Sequence, residues 1–216
     1  MRITIPSELS EIRLEQIQRI RLINENPELS DFAKKVHSVS IMADRTPTEM
    51  AMVRIEDLDD VFGNVMSLFD GQQNEPLQRI VKYLNREYAF IEDVRDMETG
   101  AFVDADQMTK DDGYYENLHK IMAILYRPIE AKIGKGYRLK SYVKESERER
   151  KERQAVFLKH MTYDVVRGAT GFFLRGVQRS LGIFDNSFPV VPKLMEGQQI
   201  HGAGTISFTP YQGEAS

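Results

Sequence analysis

A chain of 216 residues is long enough for one large domain, and its 41% hydrophobic content supplies a sizeable core beneath a surface that is 29% charged. A net charge of −4 leaves no basic footprint for nucleic acid, and the absence of cysteine excludes disulfides, thiol nucleophiles and cysteine-based zinc sites. The most apolar stretch, 165–184, is broken by Arg167, Arg175 and Arg179, so no membrane span is expected, and the first residues lack the apolar run of a secretory signal.

Residues 2–5 alternate and stop at Pro6, which predicts a short strand. Ser7 is a cap candidate for an amphipathic helix to about residue 25 carrying Leu9, Ile12, Ile17, Ile20 and Leu22. Pro27 separates it from a second helix, capped by Ser30, with Phe32, Val36 and Val39 on one side. Thr46, Pro47 and Glu49 supply the N-cap, the first helical position and the returning carboxylate of a capping box. Helical pattern continues, with a break, through Leu58, Val61, Phe62, Val65 and Leu68 to Gly71.

Pro76 is expected to open another short helix with Leu77, Ile80, Val81 and Leu84, and residues 87–92 read as a strand. Residues 96–112 are rich in acids around a small apolar set of Phe102, Val103 and Met108. Tyr114, Leu118, Ile121, Met122 and Leu125 then line one face of a helix. Its end is expected at Arg127, which Pro128 pushes out of the α region. Gly134 and Gly136 turn the chain into an alternating strand over 137–143.

Ser146 and Glu149 form a second capping box before a run of mixed charge to Arg153. Glu147 with Lys151 and Glu149 with Arg153 have the spacing of helical ion pairs, so the run reads as a solvated face. A last helix spans about 163–181, with Val166, Ala169, Phe173 and Val177 along one side and Phe172 beside it. Gly168, Gly171 and Gly176 each cost that helix about 1 kcal/mol relative to alanine, which is tolerable where another backbone approaches closely. Tight packing inside the domain is the simpler explanation. Glycines and prolines punctuate everything beyond Asp185. The expected fold is therefore α+β and mostly helical, with about three short strands in a small sheet, a globular domain over 1–184 and an extended tail over 185–216.

The chemistry-bearing residues do not converge in sequence. His37, His119, His160 and His201 lie far apart, and His119 is expected to be a partly buried side chain hydrogen-bonded to backbone. The acids Asp104, Asp106, Asp111 and Asp112 fail as a calcium loop, because Thr109 would stand where glycine is required and Tyr115 where glutamate is required. Gly134-Lys-Gly136 falls short of a phosphate loop, and no Gly-x-Ser-x-Gly elbow occurs. No catalytic residue, cofactor or metal is expected.

Five segments carry a family resemblance. They are Ile-Thr-Ile-Pro-Ser-Glu-Leu-Ser-Glu-Ile over 3–12 with Gln16 and Gln18 after it, the block 88–104, the helix 117–128 ending Leu-Tyr-Arg-Pro, the strand 137–142, and Gly168-Ala-Thr-Gly-Phe-Phe173. In this order and spacing the chain resembles tail-region proteins of tailed bacteriophages, above all tail assembly chaperones. The resemblance implies binding of tape-measure and tail-tube proteins during virion morphogenesis in the host cytoplasm, without catalytic residues or cofactor. The length beyond residue 184 leaves open a structural protein of the neck, connector or tail, located in the virion.

A holding protein needs an apolar surface for its client, often lined by adaptable methionines. Met50 and Met52, with Gly168, Gly171, Phe172 and Phe173, are accordingly expected to contribute to protein binding. The expected partners are phage tail or other virion proteins, with a homo-oligomer contact also in view, and neither nucleic acid nor membrane.

Overall fold

The computed structural model describes residues 2–69, 75–110, 113–134, 136–181 and 206–207. Its architecture is α+β and mostly helical. The chain divides into two compact units, Met1–Gln72 with Val191–Ser216 and Gln73–Val190. The boundary expected at residues 184 and 185 lies outside the described residues, as do Gly71, Asp111, Asp112 and His201.

In the first unit, Gln16 pins the leading pair of helices. It lies on α1 (Leu14–Glu25), and its buried amide donates to the carbonyl of Ile41 on α2 (Asp31–Met42) at 3.0 Å. Its Oε1 accepts from the Arg13 backbone N–H at 2.9 Å, so one side chain both starts α1 and fastens it to α2. Leu14, Ile17 and Ile20 are fully buried on the same helix, which supplies the hydrophobic part of that contact. The Arg13 guanidinium also grips Asp44, a residue with φ of 49° just past the end of α2.

The single helix expected from Ser7 is split. Glu11 turns its carboxylate back to the Ser7 N–H (2.7 Å), closing only a 3₁₀ turn at Leu9–Glu11, and Ile12 is buried in extended backbone before α1 begins. The Ser30 cap forms as expected, its hydroxyl accepting from Ala33. Thr46 and Glu49 likewise close their capping box, on the one-turn α3 (Pro47–Met50). After a break comes α4 (Ile55–Ser67), where Leu58, Val61 and Val65 are buried. The strand expected over 2–5 shortens to β1 (Arg2–Ile3), which pairs antiparallel with Ile206–Ser207.

The second unit is built on a four-stranded antiparallel sheet, β2 (Ile80–Tyr83), β3 (Arg86–Phe90), β4 (Tyr126–Ile133) and β5 (Gly136–Leu139), in that order. Two of these strands were not expected. Leu77, Ile80, Val81 and Leu84 have helical spacing, yet Ile80–Tyr83 is β-branched and aromatic, and it pairs with Arg86–Phe90 through a two-residue turn. The helix expected to run to Arg127 is α6 (Tyr114–Leu125), and it stops earlier. Pro128 restricts Arg127 to extended backbone, which here opens β4 directly from the helix. The strand expected over 137–143 ends at Leu139. Between β3 and α6, the acid-rich segment folds as α5 (Thr99–Lys110).

Register explains where this core sits. Val81 pairs with Tyr88, and Phe90 with Tyr126, so these residues share one face of the sheet. Phe157 of α7 (Glu147–His160) packs edge-on against Tyr88 at 4.9 Å, Tyr83 at 5.8 Å and Tyr126 at 6.4 Å. Phe90 meets both Tyr126 and Phe172 of α8 (Tyr163–Leu181) in the same T-shaped way. Such pairs add about 0.5–1.5 kcal/mol each beyond burial of area.

Candidate protein-binding site

The expected binding residues fall in two places. Met50 ends α3 in the core of the first unit at 1% exposure, whereas Met52, just past that helix, is 58% exposed. Gly168, Gly171, Phe172 and Phe173 lie together on α8 of the second unit. Phe173 is buried, and Phe172 is half-buried against Phe90. A Cβ on Gly168 would stand 2.6 Å from the Pro76 carbonyl oxygen, so this glycine serves a close approach of backbone within its own unit.

The second unit also holds a buried ion network that sequence pattern did not reveal. Arg127, at 2% exposure, donates to Glu145 at 3.0 Å and to the Lys140 carbonyl at 3.1 and 3.2 Å. Arg153, expected on a solvated face, is instead 3% exposed and grips the same carboxylate through both terminal nitrogens. Its expected partner Glu149 binds Lys140 and the Ser146 cap instead, while the Glu147–Lys151 pair forms at 2.8 Å. Burial, and then the adjacent Arg153 charge, push the Arg127 guanidinium below its ordinary value, and Glu145 pulls it back up.

Two cavities flank this network. One of about 350 Å³ is lined by Phe90, Glu98, Arg127, Leu139 and Tyr142 among others. There, burial raises the Glu98 carboxyl, but hydrogen bonds from Ser141, Val143 and Tyr142 outweigh it and leave the group below its ordinary value. These hydrogen bonds tie the Glu98 carboxylate to the 141–143 loop. The other cavity, of about 560 Å³, opens beside the β2–β3 hairpin and is lined by Lys82, Arg86, Lys140, Glu145 and Arg153 among others.

His119 sits half-buried on α6 with a hydrogen bond to the Glu116 backbone, and burial lowers its pKa. Among the described residues no group of three or more histidine, aspartate or glutamate side chains is placed to hold a metal ion. No described helix is long and apolar enough to cross a membrane. The hairpin between β2 and β3 is the element the helical spacing concealed. Asn85, a residue that tolerates positive φ, was the local signal for it.

No protein-family model, curated protein or solved structure matches this chain.

Proposed function

We propose that this chain is a tail assembly chaperone of a tailed bacteriophage, binding tape-measure and tail proteins during virion morphogenesis in the host cytoplasm. The observation that carries the reading is the clustering of the resemblance. The segments 88–104, 117–128, 137–142 and 168–173 all belong to the second unit, where they supply parts of β3, β4 and β5 and of α5, α6 and α8. Tyr88, Tyr126, Arg127 and Phe172 from these segments make framework contacts. Such residues preserve a scaffold, and a binding protein needs no more chemistry than that scaffold and an exposed surface. The reading includes no catalytic residue, cofactor or metal.

Co-expression of the affinity-tagged full chain with the tape-measure protein of the same phage tests this proposal. A stable complex supports it. Tape-measure protein that never co-purifies, while the tagged chain remains folded by circular dichroism, overturns it. The second reading is a structural virion protein of the neck, connector or tail. It is favoured by the glycine- and proline-rich sequence of 185–216, a composition suited to an arm laid on a neighbour.

A further inference from the structure

The turn from β2 to β3 runs through two residues with positive φ, Leu84 at 47° and Asn85 at 62°. Turns of this kind are occupied most easily by asparagine, aspartate or glycine, and leucine is among the residues least suited to them. Leu84 is nevertheless 64% exposed, so burial in its own unit does not explain its presence. An apolar side chain held outward on a backbone conformation that disfavours it is a candidate contact for another chain.

The surroundings say what that is. Of the charged groups lining the adjacent cavity, Glu149 is paired with Lys140, Glu87 with Lys132, and Glu145 with Arg127 and Arg153. Lys82 stands opposite Glu87 in the hairpin and its charge helps lower that carboxyl, whereas Arg86, on the other side of the turn, has no ion-pair partner among the described residues. Deeper in, the Arg153 side chain is 97% buried, yet its Nε is a buried donor with no hydrogen-bond partner. One cation without an ion pair, Arg86, and one unsatisfied donor therefore share a cavity, next to an apolar side chain held outward on a strained turn.

We propose that the β2–β3 hairpin and this cavity dock an acidic segment of a partner protein. A carboxylate of that segment meets Arg86, toward the Arg153 Nε, and an adjacent apolar residue covers Leu84. The inference rests on the protein-binding reading above and adds the surface and the chemistry of the segment recognised.

The test uses the full chain and a fluorescent peptide of repeated Glu-Leu-Asp, with repeated Gln-Leu-Asn as its uncharged counterpart. The acidic peptide binds at low salt, and the uncharged one binds about tenfold or more weakly. Leu84→Asn and Arg86→Glu each weaken binding about tenfold or more. Leu84→Asn also raises the melting temperature, because asparagine relieves the turn, a pairing of effects that damage to the fold cannot produce. No binding of the acidic peptide, binding indifferent to both changes, or displacement by inorganic phosphate at equal concentration overturns the inference. Capture of tape-measure protein by wild type and Leu84→Asn alike rejects the hairpin and leaves the chaperone reading standing. Peptide binding without any capture of tape-measure protein does the reverse.

Discussion

The Pro76 carbonyl oxygen occupies the space where a side chain on Gly168 would begin, 2.6 Å from the ideal Cβ position. Backbone cannot swing aside as the end of a long side chain can. Gly168→Ala therefore destabilises the protein by about 1–3 kcal/mol, even though alanine is the better helix former by about 1 kcal/mol. Urea denaturation of the two proteins reads the difference directly. A variant as stable as wild type or more so would show that the approach of residue 76 is not fixed.

Glu145 is shared by two buried guanidinium groups, from Arg127 and Arg153. Removing it leaves two charges without a counter-ion in a dry site. Glu145→Ala is expected to cost about 3–5 kcal/mol, measured as a shift in the denaturation midpoint. Replacing all three residues with apolar ones of similar volume is expected to recover most of that loss. Failure of the triple variant to exceed the single one would mean the network does more than satisfy its own charges.

Phe157 is fully buried at the centre of the aromatic layer, against Tyr83, Tyr88 and Tyr126. Phe157→Ala is expected to lower stability by about 3–5 kcal/mol through lost transfer energy and the cavity left behind. Near-ultraviolet circular dichroism should lose tyrosine signal in parallel, since those rings no longer have a fixed neighbour. An unchanged near-ultraviolet spectrum would contradict the packing described.

The carboxyl of Glu149 is held down at about 2 by the Lys140 side chain and then by the Ser146 backbone and hydroxyl, against an ordinary 4.5. Because the folded value is the lower one, its stabilising contribution is complete above the unfolded value and is lost as pH falls through the folded one. Glu149→Gln should therefore flatten the fall in stability between about pH 5 and pH 2, and salt should shrink the effect because the pair is partly exposed. Equal pH slopes for wild type and variant across that window would remove Glu149 from the account.

Sequence reading succeeded where the determining chemistry is local. Ser30, Thr46 and Ser146 each cap the helix their spacing indicated, because an N-cap and its partner lie three residues apart. It failed at 76–84, where the spacing of Leu77, Ile80, Val81 and Leu84 satisfies a helix while pairing with 86–90 imposes a strand. Tertiary pairing decided between two locally acceptable conformations. It failed again at Arg153, whose burial depends on a carboxylate eight residues away that Arg127 also holds. Neither the partner nor the depth of the site has a sequence period. Leu84 belongs to the same helical spacing, and only the turn makes it visible as a surface feature.

The functional reading faces its most direct test in quantitative mass spectrometry of purified phage particles beside the infected-cell extract. An assembly chaperone is abundant in the extract, associated there with tape-measure protein, and missing from the finished particle. A fixed, stoichiometric number of copies per particle would contradict that reading and assign the chain to the virion itself.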